Sequence, residues 1–511
     1  MLEKPLHSLL ESLNPVSVSN NSNPVIASIA YDSRDLAAQG MFFALAGIHA
    51  NGHDYIDRAV EAGAAAVVYS QPLQQQRKDV CFIQVKDTRA ALSAASANFW
   101  DFPSRKITTV GVTGTDGKST TVALIRQLLE YSGAAAGSLS TVEFSIGGKI
   151  GPNHFRQSTP EAPHIHEMLH SMVEAQQQYA VLEATSHGLS PRTSRLADVH
   201  FSVAVLTNIT SEHLEFHGDW ETYRRDKSRL FNNIADSKDR DAFGVVNADD
   251  PQRDYFIRAA GEKPVFTYSL SSADSDLYVS AIRPDASGTK FMLHTPWGKQ
   301  KGRINLPGVF NLENLLAAIC TVSELLGCDP LDFIEVCPKL TGIKGRMQPI
   351  AGNMNFHVMV DYAHSPGSFE KILPFLKKLV PGRLILVFGS AGERDVEKRP
   401  KQGRIADRYA DIIILSDEDP REEDGMQILE AIAAGVEGKT LNETLYLIRD
   451  RREALQKAFS LAREGDLIAA LGKGHEQSII YADGPRPWDE AQVCREILTE
   501  MGFILQEISS Q

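Results

Sequence analysis

Eight consecutive residues, Thr113-Gly114-Thr115-Asp116-Gly117-Lys118-Ser119-Thr120, combine the residue types that bind a triphosphate. Glycines let the backbone wrap closely around phosphate oxygens. Successive N–H groups and a helix N-terminus favour negative charge there. An ammonium at Lys118 would bridge the β- and γ-phosphates, and the Ser119 hydroxyl would sit on Mg2+. The run departs from the general G-x-x-x-x-G-K-[ST] rule, because Val112 stands at the first glycine position. The alternative is an ordinary strand-to-helix turn; the strand before, the helix after and the Gly-Lys-Ser-Thr run favour phosphate. A second feature is Glu183, at the end of an apolar strand-like run. A carboxylate there suits a divalent cation, and burying it without one would be costly. The alternative for Glu183 is a strand-end acid that faces solvent or pairs with a base.

These residues need elements to hold them. Residues 107–112 are β-branched and apolar, 114–118 form the turn, and 119–131 carry apolar residues at 122, 125 and 129 and at 124 and 128, which is helical spacing. Further strands are expected at 180–182, 203–206 and 245–246, and after Gly345 at 358–360, 384–388, 412–415 and 467–471. Helical patterns separate them, so the fold class is α/β with parallel, doubly wound sheets. Before residue 103, a helix-like run at 55–63 precedes an apolar strand at 64–69. The chain of 511 residues divides into three expected domains: a mixed α/β domain over 1–103, a P-loop-type, mostly parallel domain over 104–344 and a Rossmann-like domain over 345–511. In such sheets ligands bind beyond the carboxyl ends of the strands.

Composition sets limits on function. The hydrophobic fraction is 43% and the charged fraction 23%, as in an ordinary soluble globular chain. The net charge of −13 argues against a general nucleic-acid binder. Anionic substrates would be held by local donors instead. The five cysteines are scattered without a C-x-x-C pair, so neither a disulfide framework nor a zinc site is indicated and a reducing, cytoplasmic location is expected. The first residues lack the apolar core of a signal peptide, no apolar run approaches the ~18 residues that span a bilayer, and no membrane insertion is expected. A monomer is the default.

The departure in the phosphate loop is itself informative: T-G-T-x-G-K-[ST] resembles the loop of the Mur ligase family and its relative folylpolyglutamate synthetase. The resemblance runs through Tyr31-Asp32-Ser33-Arg34, Glu183-Ala184-Thr185-Ser186-His187-Gly188-Leu189, Thr207-Asn208-Ile209 with His213, His217-Gly218 and Lys227. It continues in Leu306-Pro307-Gly308 with Phe310, Asn311 and Asn314, then Gly345-Arg346-Met347-Gln348, Asp361-Tyr362-Ala363-His364, Arg394-Asp395 and Lys398-Arg399. Asp419-Pro420-Arg421 and Gly472-Lys473-Gly474-His475-Glu476 are similar to the MurE branch. Each motif alone is weak, but their order and spacing together are specific.

The resemblance implies an ATP-dependent acid–amino-acid ligase of peptidoglycan precursor synthesis. It would add a diamino acid to the D-Glu carboxylate of UDP-N-acetylmuramoyl-L-Ala-D-Glu through an acyl phosphate, releasing ADP and phosphate. Lys118, Glu183, His213 and Lys227 would be its catalytic group. Ser119, Glu183, His213 and Lys227 would hold two Mg2+ ions. Lys227 would react with CO2 to become a carbamate, an anion able to bind metal; only the uncharged amine reacts. ATP would lie on Gly114, Thr115, Asp116, Gly117, Lys118, Ser119 and Thr120, with Asn314 near the adenine, Arg346 on a phosphate and Asp361 on the ribose hydroxyls. The ordinary readings of Arg346 and Asp361 are a surface cation and a helix-capping acid, and that of Lys227 an exposed helical lysine.

The first domain would hold the UDP-muramyl peptide, with Ser33 nearest the nucleotide; Asp32 and Arg34 could equally form a structural ion pair. Ser158, Thr159, Thr185 and Arg195 resemble further donors to this substrate. The loop at 190–194 is longer than in common relatives, so Arg192 could replace Arg195. The diamino acid would meet Arg394, Glu418, Asp419, Pro420, Arg421, Gly472 and Glu476. Arg421 would grip a distal carboxylate bidentately, which favours meso-2,6-diaminopimelate. Glu418 and Asp419 stand where that branch has Asp and Asn, and the added negative charge leaves ornithine or lysine open. A folylpolyglutamate-synthetase-like ligase is disfavoured by the first domain and the Gly-Lys-Gly-His-Glu run, and another P-loop ATPase or kinase by the strand-end motifs of the third domain.

Overall fold

The computed structural model of the chain describes residues 2–19, 22–47, 50–73, 77–155, 157–210, 214–285 and 287–505. They form two compact units, one of Met1–Ser280 with Met292–Gly302 and Glu313–Val336, the other of Ala281–Phe291 with Arg303–Leu312 and Cys337–Gln511.

The first unit opens on a five-stranded sheet in the order Ser17–Val18, Cys81–Gln84, Ala66–Tyr69, Gly40–Phe43, Ser28–Ala30. All pairings are parallel except that of Ser17–Val18. Ala66–Tyr69 and Gly40–Phe43 are buried throughout, which is why they read as continuous apolar runs rather than alternating ones. Leu6–Leu13 and Thr88–Phe99 cover one face through Leu6, Leu9, Leu92 and Phe99. Ile56–Glu61 covers the other through Ile56 and Val60. The helical run expected at 55–63 therefore divides into a 3-10 turn, Gly52–Tyr55, and this shorter helix.

An eleven-stranded sheet follows, with a parallel core ordered Ala136–Leu139, Tyr179–Glu183, Thr108–Thr113, Val203–Leu206, Phe243–Asn247, Val265–Ser269. The chain enters on Thr108–Thr113, adds strands to one side, and from Val203 winds to the other. The phosphate-loop strand thus lies where the winding reverses, the place at which doubly wound sheets open a crevice for ligands. Helix Lys118–Tyr131 leaves that strand and buries Val122, Leu124, Ile125, Leu128 and Leu129, the positions whose spacing predicted it.

One helix bears on the expectation that no apolar run approaches membrane-spanning length. Val309–Leu326 is 18 residues long and apolar enough to cross a bilayer by length and composition, yet 67% of it is buried. Leu312, Leu315, Leu316, Ile319 and Val322 are fully enclosed, so this is a core helix, and the polar Asn311, Glu313 and Asn314 interrupt what would otherwise be a long apolar run.

The second unit holds a six-stranded sheet in the order Gln348–Pro349, His357–Asp361, Leu467–Leu471, Leu384–Phe388, Ile412–Leu415, Leu445–Leu447, parallel except at Gln348–Pro349. Helices Pro366–Leu379, Lys398–Tyr409 and Gly425–Ala433 pack on one face. Arg451–Leu461 and Glu490–Glu500 pack on the other.

Arg451 and Glu490, both fully buried, form a 2.7 Å ion pair in that second layer. Arg451 also donates to the Leu471 carbonyl (2.8 Å), the Asp417 carbonyl and the Ser416 hydroxyl (3.3 Å each). It thereby ties together the ends of two strands, from which the loops 416–421 and 472–476 leave. A buried pair contributes little net stability, whereas removing one partner strands a charge. Arg451→Met is expected to cost about 3–5 kcal/mol in urea unfolding, and Arg451→Met with Glu490→Leu distinctly less. Equal losses in the two variants would show that the pair is not the relevant unit.

Candidate active site

Gly114 and Gly117 shape the phosphate loop. Both have positive φ (+149° and +83°), and a Cβ would lie 1.9 Å from Thr207 Oγ1 at the first and 2.2 Å from Asn314 Oδ1 at the second. Gly117 precedes the helix without any side-chain cap, so the first amides of that helix are left for an anion. Thr207 and Asn208, just past the neighbouring strand, brace the loop. The Thr207 hydroxyl donates to the Asp116 carbonyl (2.6 Å), and the Asp116 and Thr115 amides donate to the Asn208 side chain (3.0 Å) and carbonyl (2.8 Å). Lys118 folds back so that its Nζ donates to the Thr115 carbonyl at 2.7 Å. Asp116 is exposed, Thr120 half-buried, and Asn314 buried with its Oδ1 3.3 Å from Thr121 Oγ1.

Glu183 ends Tyr179–Glu183 next to this loop and is only 5% exposed, so the solvent-facing alternative does not hold. Its Oε2 accepts from Ser119 Oγ (2.6 Å) and the Thr141 amide (2.9 Å). Lys227 lies on helix Trp220–Asp236 and is 2% exposed, not the exposed lysine of the ordinary reading. Its Nζ donates to the Gly114 carbonyl and stands 4.7 Å over the Tyr223 ring, while the Tyr223 hydroxyl is 3.0 Å from Thr115 Oγ1. Lys227 and Glu183 thus approach one loop from different elements. His213 lies outside the described residues.

Among the described residues no group of three His, Cys, Asp or Glu side chains could hold a metal. The set implied by resemblance contributes only Glu183 to such a group, its other described members being Ser119 and Lys227. The contact between the Ser119 hydroxyl and the Glu183 carboxylate does supply two hard oxygens side by side, a donor type that fits Mg2+.

Sequence reasoning assigned no contact to His217. It is buried with Nδ1 3.0 Å from Asp226 Oδ2 and Nε2 3.0 Å from Ser186 Oγ. It therefore pins the segment after Glu183 to the helix that carries Lys227. Asp226, next to Lys227, and Ser186, 31 residues before His217, offered no local signal for these contacts.

On the muramyl side of the prediction, Ser33 is buried, and Asp32 and Arg34 do form an ion pair at 2.5 Å. The Arg34 guanidinium holds the Asp32 carboxyl below its ordinary range. Thr159 and Thr185 meet at 2.8 Å between hydroxyls, and Thr185 also caps the short helix at the Gly188 amide (3.1 Å). Ser158 is exposed. Arg195 donates to Glu161 (2.8 Å) and to the Thr159 carbonyl (3.2 Å), which sets it beside this hydroxyl pair. Arg192 is exposed and donates to the Phe216 carbonyl at 2.5 Å.

In the second unit, Arg346 stands 5.0 Å over the Tyr362 ring. Asp361 accepts from the Met347 (2.7 Å) and Ala363 (2.8 Å) amides, so it braces a turn rather than capping a helix; burial pushes its carboxyl up, against the pull of Arg346. Glu418 and Asp419 follow Ile412–Leu415, and Gly472 and Glu476 follow Leu467–Leu471. Burial also raises the Glu418 carboxyl. Arg421 has φ +56° and its guanidinium lies 3.9 Å from Glu393. Arg394 is exposed on the loop that precedes Lys398–Tyr409.

Three family models match in turn: a Mur ligase family catalytic domain over residues 25–100, the Mur ligase middle domain over 112–322, and a Mur ligase glutamate ligase domain over 345–474. The chain is 46% identical over 510 residues to a UDP-N-acetylmuramyl-tripeptide synthetase of Roseiflexus sp. (strain RS-1), covering 98% of this chain and 99% of that one. The chain belongs to the Mur ligase family. A second UDP-N-acetylmuramyl-tripeptide synthetase, from Treponema denticola, is 43% identical over 97% of this chain and 98% of its own. A solved UDP-N-acetylmuramoyl-L-alanyl-D-glutamate–2,6-diaminopimelate ligase superposes with a TM-score of 0.66 at 28% identity, over 96% of this chain and 99% of that one. This Mur ligase is accordingly an ATP-dependent ligase.

Next to Asn314 the ligase carries Glu313, which accepts from Asn247 Nδ2 at 2.5 Å. Burial pushes its carboxyl from the ordinary 4.5 to about 7, and the charges of Asp249, Asp250 and Asp116 add to the rise against the Asn247 hydrogen bond. Between those pH values the folded chain keeps a proton that the unfolded chain has released, so stability falls as pH rises through that window. Glu313→Gln is expected to be more stable than the unchanged chain at pH 8, by roughly 1–3 kcal/mol, and to differ little at pH 4.5. Thermal unfolding at the two pH values checks this, and a pH-independent difference would refute it.

Proposed function

We propose that this chain joins a diamino acid, meso-2,6-diaminopimelate in the first instance, to the D-Glu carboxylate of UDP-N-acetylmuramoyl-L-Ala-D-Glu in the cytoplasm, as a monomer. The observation that carries the reading is the convergence of Lys118, Ser119, Glu183 and Lys227 on one glycine-shaped loop. The domains are assigned as residues 1–103 for the UDP-muramyl nucleotide, 104–344 for ATP and 345–511 for the amino acid. The first also contains Ser33; Thr159, Thr185 and Arg195 are assigned to the muramyl peptide ahead of Arg192, because they adjoin one another.

ATP donates its γ-phosphoryl group to the D-Glu carboxylate and ADP leaves; the amine then attacks the acyl carbon, loses a proton, and phosphate departs. The chain's part is to position the reactants and to stabilise the charge that develops on phosphate. Gly114–Thr120 offer amides, and Lys118 offers the ammonium. Ser119, Glu183, His213 and a Lys227 carbamate would hold Mg2+, two ions in the family pattern, which supplies charge neutralisation at the phosphates. Asn314, Arg346 and Asp361 are assigned to adenine, phosphate and ribose.

For the amino acid, Arg421 supports a distal carboxylate and hence diaminopimelate. Ornithine or lysine is the second reading, favoured by Glu393 near Arg421 and by the Glu418 oxygen that has no hydrogen-bond partner among the described residues. Phosphate release from ATP with the muramyl dipeptide nucleotide, offered diaminopimelate, ornithine, lysine or no amine, tests both readings. Turnover with one diamino acid alone is expected. Release that does not need the muramyl nucleotide would replace the ligase reading with an ATPase or kinase.

A further inference from the structure

The loops 416–421 and 472–476 enclose a charge that none of the assignments above uses. Lys473 is fully buried, with its Nζ 2.8 Å from Asp419 Oδ1 and 2.6 Å from Glu476 Oε2. Asp419 Oδ1 also accepts the Ile480 amide at 3.0 Å, and Glu476 Oε1 lies 3.4 Å from the Tyr362 hydroxyl. Neighbouring Glu418 is 6% exposed, and its Oε2 has no hydrogen-bond partner among the described residues. That oxygen faces Gly472, where a Cβ would stand 2.8 Å away.

The arrangement fixes a local balance of charge. Burying an ammonium demands a carboxylate beside it, and here two are provided. Asp419 is therefore paired with Lys473, and the two carboxylates and one ammonium together leave one net negative charge in the pocket. Removing the charge of Asp419 would leave Lys473 shared with Glu476 alone and make the pocket one unit more positive. Removing Lys473 would leave Asp419 and Glu476 uncompensated and make it one unit more negative. The far end of diaminopimelate carries both an ammonium and a carboxylate, whereas ornithine and lysine carry an ammonium alone, so one unit of pocket charge acts on the difference between them.

We propose that Lys473 is a specificity-determining residue, whose pairing with Asp419 and Glu476 sets the charge of the amino-acid pocket and so the choice between a distal carboxylate and a bare distal ammonium. The inference rests on the ligase reading above. It also refines the simplest sequence argument: the negative charge that Asp419 adds in place of Asn is paired with a buried lysine that already has Glu476 beside it.

The experiment compares kcat/KM for diaminopimelate and for ornithine in the full chain, with ATP and the muramyl dipeptide nucleotide saturating. Asp419→Asn, which keeps shape and an acceptor for Ile480, is expected to raise the diaminopimelate-to-ornithine ratio at least tenfold. Lys473→Met is expected to lower it at least tenfold, and the double variant to return it to within threefold of the unchanged chain. Should Lys473→Met not fold, Asp419→Asn and the charge-balanced double variant still decide the matter. A ratio unmoved in Asp419→Asn overturns the proposal while leaving the ligase reading intact. An unchanged chain that turns over no diamino acid overturns both.

Discussion

Lys118→Ala is expected to lower ligation at least 10²–10³-fold, the loss seen when one donor to transition-state charge is removed. The ammonium belongs to the first residue of helix Lys118–Tyr131 and reaches back over the loop to the Thr115 carbonyl. That carbonyl is a resting partner; a triphosphate on the loop amides offers a stronger, charged one. The side chain is only partly buried, so its removal leaves no cavity or stranded charge, and the change in stability is expected within about 0.5 kcal/mol. Activity and stability therefore separate. Steady-state phosphate release and thermal unfolding of the same preparation measure the two. Gly117→Ala makes the contrasting control: it forces a Cβ against Asn314 Oδ1 at positive φ, so it is expected to lose stability as well as turnover. Ligation by Lys118→Ala at the unchanged rate would remove the phosphate loop from the mechanism, and with it the basis for the other assignments.

Some of this was legible in the sequence and some was not, for reasons of distance along the chain. The strand, turn and helix around Gly114–Thr120 are local, so glycine placement and apolar spacing sufficed. Glu183 could be read because it is the first acid after a run of buried apolar residues. Lys227 was read only by resemblance, although a local signal existed: it shares a helical face with Tyr223, Leu230, Phe231 and Ile234, all buried. A lysine on the apolar face of a helix is exceptional, and periodicity alone would have singled it out. The His217–Asp226–Ser186 contacts and the Asp419–Lys473 pair depend on how separate strands return to neighbouring positions. Their members stand up to 54 residues apart, and no local pattern encodes such pairs. The same limit explains why Asp419 was read without its partner Lys473. Its counter-charge follows a different strand, and only the adjacent carboxyl ends of parallel strands bring the two together.

Lys227→Ala is expected to be nearly inactive and to regain part of its activity with millimolar formate or acetate. In the unmodified side chain, Nζ donates to the Gly114 carbonyl beneath the loop. The proposed carbamate would keep one N–H for that carbonyl, so modification would alter the charge without giving up the anchor. On the carbamate reading, removing the side chain would delete the anion and leave a buried space beside Tyr223 and the loop. Because an added anion restores charge but not its tether, rescue should saturate with concentration and remain partial. Lys227→Arg keeps a cation and fills the space, so the same anions should not rescue it. Some loss of stability is expected in Lys227→Ala, roughly 1–3 kcal/mol, from the lost hydrogen bond and the packing against Tyr223. Formate-dependent recovery at constant stability is what distinguishes a missing anion from a damaged fold. Full activity in Lys227→Ala without added carboxylate would refute the carbamate, and an inactive, well-folded variant deaf to every small anion would instead mark Lys227 as a cation that holds the Gly114 turn.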